Sequence, residues 1–168
     1  LEFRRVLFRS IFVIGANPTV NHPVAATWIK NAVRRGATLV VADPRRNGLA
    51  RHAKHVLQFR ADTDVALLNA MLYVIIEEGM VDETFIAGRT RDFESLRESV
   101  KSYSPEAMSA FCGIDAPTLR KVAREYAQSR ASMILWGMGV SQHTHGTDNA
   151  RCLIALALAT GQIGRAHV

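Results

Sequence analysis

Gly15, Asn17, Asp43, Arg45, Gly137 and Gly139 have the clearest chemical potential in this chain, because each stands at or just beyond the end of a short apolar run. The runs read IFVIGANP over residues 11–18, LVVADPRR over 39–46 and MILWGMGVSQ over 133–142. As parallel strands of one sheet they bring these residues together along its carboxyl edge, where open α/β sheets bind nucleotide-like ligands. Gly15 keeps a strand end clear for close approach of a ligand, and Asn17 can adopt a positive φ or donate from its amide. An ordinary strand-to-helix turn is the plain alternative. Asp43 sits where such sheets read a ribose hydroxyl pair or a purine edge. A carboxylate accepts two hydrogens at once and guanine offers two adjacent donors, so an Asp43 facing the base favours guanine. Spacing alone equally allows it to cap a helix after Pro44.

Arg45 and Arg46 can clamp a pyrophosphate bidentately, or one of them is simply part of a solvated basic turn. The Gly137-x-Gly139 pair lacks the third glycine and following helix of a dinucleotide fingerprint, so it is not an NAD cradle. His143 and His145 form an HxH on a polar loop without a third metal ligand nearby, which favours a hydrogen-bonding or surface role. Arg60, Asp62 and Asp64 follow the third strand and either line the same edge or serve as caps and surface charge. No Ser/His/Asp set, well-placed carboxylate pair or Walker loop is present.

These residues need a frame, and the hydrophobic spacing supplies one. Strands are expected near residues 11–14, 38–42, 56–59 and 132–136, alternating with helices and nearly all apolar, as in a parallel, doubly covered Rossmann-like sheet. Val24, Ala25, Trp28, Ile29, Ala32 and Val33 repeat at helical spacing after Pro23, and Gly36 ends that helix. Residues 63–129 read as a helical insertion that covers the sheet. It begins with Leu68, Met71, Leu72, Ile75 and Ile76 on one face and ends in a helix over 117–128 with Leu119, Val122, Ala123 and Tyr126 inward. Asp82, Asp92, Ser104 and Asp115 occupy N-cap positions. Residues 150–160 are apolar on nearly every side, which suits the interior of a larger body.

At 168 residues and 48% hydrophobic content the chain can bury one core. Residues 7–10 and 163–168 resemble translated adaptor sequence, so 1–10 and 165–168 are expected to be a non-native leader and tail around a partial α/β domain spanning 11–164. Setting them aside removes three of the six formal positive charges, and what is left forms no basic stripe interleaved with aromatics. A nucleic-acid partner is therefore not expected. No run approaches the ~20 apolar residues of a membrane span. Cys112 and Cys152 are widely separated without a CxxC and read as reduced core thiols in a cytoplasmic protein.

Taken together, IGANPTVNHPVAATWIKNA, ADPRR, DVALLNAMLYVIIEEGMVD, FIAGRT, GIDAPTLRKVAREYA and WGMGVSQHTHGTDNARCLIALALATGQIG resemble the central part of the molybdenum- or tungsten-dependent formate dehydrogenase alpha subunit, in the molybdopterin oxidoreductase family. The GMGVSQHTHGTDNARCL stretch is similar to the NAD-linked, cytoplasmic branch. The resemblance implies a bis(molybdopterin guanine dinucleotide) cofactor carrying Mo or W, 4Fe-4S clusters bound by parts of the parent not present here, and oxidation of formate to carbon dioxide. Iron–sulfur and flavin or NAD electron-transfer subunits are the implied partners.

By that resemblance Gly15, Asn17, Asp43, Pro44, Arg45, Arg60, Asp62, Asp64, Gly137, Met138, Gly139 and Gln142 would hold the pterin guanine dinucleotide. Many relatives carry glycine where this chain has Asp62. The metal-ligating Cys or selenocysteine, its neighbouring His and the active-site arginine belong to other segments, so no catalytic residue is assigned and the chain alone is not expected to be active. Three other readings stand beside this one. They are a non-catalytic relative like the large iron–sulfur subunit of NADH dehydrogenase, another molybdopterin oxidoreductase such as nitrate reductase, and an unrelated α/β module of the thiamine-diphosphate type.

Overall fold

Strand β1 (Ser10–Ile14) is flanked by β2 (Thr38–Ala42) on one side and β4 (Ser132–Trp136) on the other, and β2 pairs in turn with β3 (His55–Leu57). The computed structural model describes residues 8–162, and in it all of these pairings are parallel, giving the order β3-β2-β1-β4. Parallel pairing demands a crossover between consecutive strands, and α2 (Pro23–Arg34) supplies the first one. The long helical crossover from β3 returns on the other side of β1, so the strand order reverses between β1 and β4. That reversal is where ligands of open α/β sheets bind.

Alternation along the strands divides the interior in two. Phe12, Ile14, Val40 and Ala42 face one core, Ile11, Val13, Leu39 and Val41 the other. The first core is closed by α3 (Asp64–Glu77), α5 (Phe93–Val100), α6 (Pro105–Cys112), α7 (Ala116–Ala127) and α9 (Gly146–Ala159), with α4 (Glu83–Arg89) packed on α9. The second is closed by α2 through Ala26 and Ile29, with Ala32 and Val33 beside them. Val24, expected on that inner face, is 71% exposed, because the stripe that meets the sheet runs through Ala26, Ile29 and Val33 and leaves position 24 turned outward.

The helical insertion begins and ends as the capping residues dictate. Asp82, Ser104 and Asp115 each accept from the backbone N–H three residues on, at 2.9, 3.3 and 3.0 Å. Asp92 stands at the N-cap of α5 with φ 58° but makes no such bond. Thr63 precedes α3, yet its hydroxyl donates to the carbonyl of Arg60 instead. Two further helical turns were not expected: α1 (Pro18–Asn21), started by its proline, and α8 (Met138–Ser141), directly after Gly137. The third strand lies at His55–Leu57, slightly earlier than its expected position.

Within the segment read as a leader, Phe8 is buried, the Arg9 amide donates to Ala131 O, and Ser10 opens β1. The remainder of that segment and the tail at 165–168 lie outside the described residues. No described helix is long and apolar enough to cross a membrane.

Candidate functional site

Register decides the geometry of the carboxyl edge. Ile14 is level with Ala42 in β2 and with Trp136 in β4. Gly15, Asp43 and Gly137, the next residues, therefore leave the sheet side by side. The three turns predicted from scattered sequence positions thus form one rim.

The glycines interlock these turns. Gly15 has φ 55°, and a Cβ there would lie 2.8 Å from Gly139 C and from Val140. A Cβ on Gly139 would lie 2.6 Å from Gly15 O, and its N–H donates to that same oxygen at 3.0 Å. A Cβ on Gly137 would sit 3.1 Å from Ala16 Cβ. What fills the space beside Gly15 is the Gly137–Val140 backbone, so these glycines first serve turn-on-turn packing. Asn17 has φ −119°, so the positive φ belongs to Gly15. Its Oδ1 accepts from Thr19 Oγ1 at 2.6 Å.

Two carboxylates are buried at the rim. Asp43 is 8% exposed, and its Oδ1 accepts the Arg45 amide at 2.8 Å in a tight local turn rather than capping a helix. Asp64, at the first position of α3, is 2% exposed and its Oδ1 has no hydrogen-bond partner. Burial pushes the Asp64 carboxyl up from its ordinary value; His143 opposes this, while Asp62 and Asp43 add to it. Asp43, Asp62 and His143 thus all lie near enough to Asp64 to act on its carboxyl.

Asp62 adopts φ 65°, a left-handed conformation that suits glycine and that aspartate tolerates better than most residues. Its Oδ1 lies 3.4 Å from His143 Nδ1, and His143 Nε2 lies 2.6 Å from Gly139 O. Arg45, Met138 and Gln142 are exposed, as is Pro44, whose carbonyl accepts from Gln58. Arg60 turns away from the rim. Its Nη1 donates to Ala110 O at 2.7 Å and its N–H to Cys112 O at 2.8 Å, so it satisfies carbonyls in the last turn of α6.

Beside the Asn17 turn an open cleft of about 510 Å³ is lined by Thr19, Lys30, Arg46, Asn47, Gly48 and Arg51, three of them cations and none a carboxylate. Two asparagines escaped the sequence reading. Asn47 donates to Ala16 O at 3.2 Å, tying the second turn to the first, and buried Asn149 donates to Val140 O at 2.9 Å, fixing α8 against α9. Asn after a strand was the only local signal for the first, and nothing in the spacing marks the second. Cys112 and Cys152 are free thiols away from the rim, and burial pushes Cys152 up to about 11.

The family model described as Molybdopterin oxidoreductase matches residues 9–167. Formate dehydrogenase H of Escherichia coli (strain K12) is 43% identical over 94% of the chain and 22% of its own length. The F420-dependent formate dehydrogenase subunit alpha of Methanocaldococcus jannaschii is 42% identical over 92% of the chain and 23% of its own length. A nitrate reductase of Synechocystis sp. is 33% identical over 92% of the chain and 22% of its own length. Among solved structures, acetylene hydratase from Pelobacter acetylenicus superposes with TM-score 0.88 at 29% identity, over 93% of this chain and 22% of that one. The chain spans between a fifth and a quarter of the length of the relatives it matches.

Proposed function

We propose, for a chain that belongs to the molybdopterin oxidoreductase family, that it is a cofactor-binding segment of a formate dehydrogenase, holding a molybdopterin guanine dinucleotide along the carboxyl edge of its sheet. The higher identity to formate dehydrogenases than to a nitrate reductase supports the substrate. A nitrate reductase is the second reading, favoured by the relative that bears that name. The bound cofactor, with Mo or W, supplies the two-electron chemistry that takes formate to carbon dioxide. This segment contributes recognition and orientation, and none of its residues is given a catalytic role.

One observation carries the cofactor reading: the orphaned, buried Oδ1 of Asp64 beside Asp43 on the glycine rim. A buried acceptor without a donor is costly, and a ligand N–H removes the cost. A guanine edge offers two adjacent donors, so the rim chemistry fits that base, shared between Asp64 and Asp43. Asp43 was the residue favoured from sequence; its Oδ1 already holds the Arg45 amide, which makes Asp64 the better acceptor. Gly15, Asn17, Gly137, Met138, Gly139 and Gln142 are assigned to the pterin and phosphate stretch, with Pro44 shaping the turn before Arg45. Arg45 and the Lys30–Arg46–Arg51 cleft offer positive charge to phosphate oxygens. Asp62 and Arg60 are weaker ligand candidates, because each is engaged within the protein.

The same reading assigns the 4Fe-4S cluster to other segments of the parent, electron transfer to iron–sulfur and flavin or NAD-binding partners, and a cytoplasmic location. The test is the guanine nucleotide and metal content of the purified full-length protein. Asp64→Asn and Asp43→Ala should each lower both, by roughly ten- to a hundredfold in affinity for a buried charge-assisted bond of ~1.5–3 kcal/mol. Wild-type content in both variants would refute the assignment.

A further inference from the structure

We propose that His143 is a positioning residue that ties the turn after β4 to the loop before α3, with Asp62 as its anchor. The proposal rests on the cofactor reading above for its purpose, but the clamp itself is a matter of geometry. The Gly139 peptide is gripped at both ends: its N–H donates to Gly15 O at 3.0 Å, and its carbonyl faces His143 Nε2 at 2.6 Å. A carbonyl can only accept, so Nε2 carries the proton. The other ring nitrogen, Nδ1, lies 3.4 Å from Asp62 Oδ1.

One imidazole thereby links the turn after β4, which the Gly139 N–H already joins to the turn after β1, with the loop before α3, where Asp64 begins the helix. Asp62 reaches this place only by adopting φ 65°, a conformation that glycine would occupy with less cost. A carboxylate held in an unfavourable backbone state and directed at a histidine is better explained by what it anchors than by its own loop. The consequence is preorganisation: turns already fixed lose less conformational freedom when a long phosphorylated ligand binds across them. The side chains that face His143 are Asp62 and, at longer range, Asp64.

The experiment uses the full-length protein, prepared both with its cofactor and from a host unable to make pterin. Hydrogen exchange of the peptides covering residues 137–146 reads the clamp directly, whether or not the ligand is a guanine dinucleotide. In the cofactor-free protein, His143→Ala should speed that exchange roughly fivefold, the ratio lost with one ordinary hydrogen bond. His143→Gln, which keeps a donor, should restore most of the protection. Asp62→Gly relaxes the backbone yet should still loosen residues 137–146, a result that a merely structural loop role does not produce. Unchanged exchange in Asp62→Gly, or equal exchange in the Ala and Gln variants, overturns the clamp. Guanine nucleotide content of the cofactor-loaded proteins then separates the two ideas. Its absence from the wild type sinks the cofactor reading, and faster exchange without loss of nucleotide in His143→Ala sinks the positioning role.

Discussion

Asp64 shows how a single residue can work against the stability of the free protein. Its unfolded carboxyl loses its proton in the ordinary range, whereas burial raises the folded value above it. Between the two values the native state binds more protons, so stability falls as pH rises through that window and stays lower beyond it. Asp64→Asn removes both the titration and the buried charge. In the cofactor-free full-length protein it should raise the stability at neutral pH by ~1 kcal/mol, read as an upward shift of the thermal midpoint. The gain should vanish below the ordinary carboxylate range, where the wild-type side chain is neutral as well. A variant that melts below the wild type at neutral pH would contradict the account. Stabilising the empty protein while weakening its grip on ligand is the signature of a residue kept for binding.

Helices α3, α6 and α7 are held together by more than their apolar faces. Arg120 of α7 donates from Nη1 to Glu77 at 3.0 Å and through Nε and Nη2 to both oxygens of Glu106, at 2.9 and 3.1 Å. Arg124, one turn on, forks onto Glu78 at 2.6 and 2.8 Å. These pairs hold the Glu78 and Glu106 carboxyls below their usual range, chiefly through the arginine hydrogen bonds. A network of several surface charges with forked arginine geometry is worth more than an isolated surface pair, though it is screened by salt. Arg120→Met keeps the aliphatic stem and loses the charge, and should cost about 1 kcal/mol. Melting at low and high ionic strength checks this: the deficit should shrink in salt, and one that salt leaves unchanged would mean lost packing. The network matters to the site because α3 carries Asp64 at its first position.

On the scale of the whole molecule, the substrate is what divides the two readings of the parent enzyme. The full-length protein should oxidise formate, with NAD or an iron–sulfur partner as acceptor, and show no nitrate reduction with a dye donor. The reverse result would transfer the assignment to the nitrate reductases.

The strands, the helical insertion and its caps were legible because they rest on local physics: apolar runs, 3.6-residue spacing, and Asp or Ser ahead of a helix. The resemblance was legible for the same reason, since GANP, DPRR and GMGVSQ are contiguous strings. Local chemistry misled where tertiary packing prevailed. Val24 was placed inside and is exposed, whereas for Gly15 and Arg60 the spacing left two readings open, and packing adds that Gly139 lies against the one and the last turn of α6 against the other. Periodicity reports which positions are apolar along one element, and it carries no information about which neighbour a side chain meets. The sequence by itself therefore determined that strand ends would carry glycines, an asparagine and carboxylates. Only the folded sheet, by setting Ile14 level with both Ala42 and Trp136, decided that they share one rim and that Gly139 packs on Gly15. Register and loop-to-loop contact join residues more than a hundred positions apart, and no spacing along the chain encodes that distance.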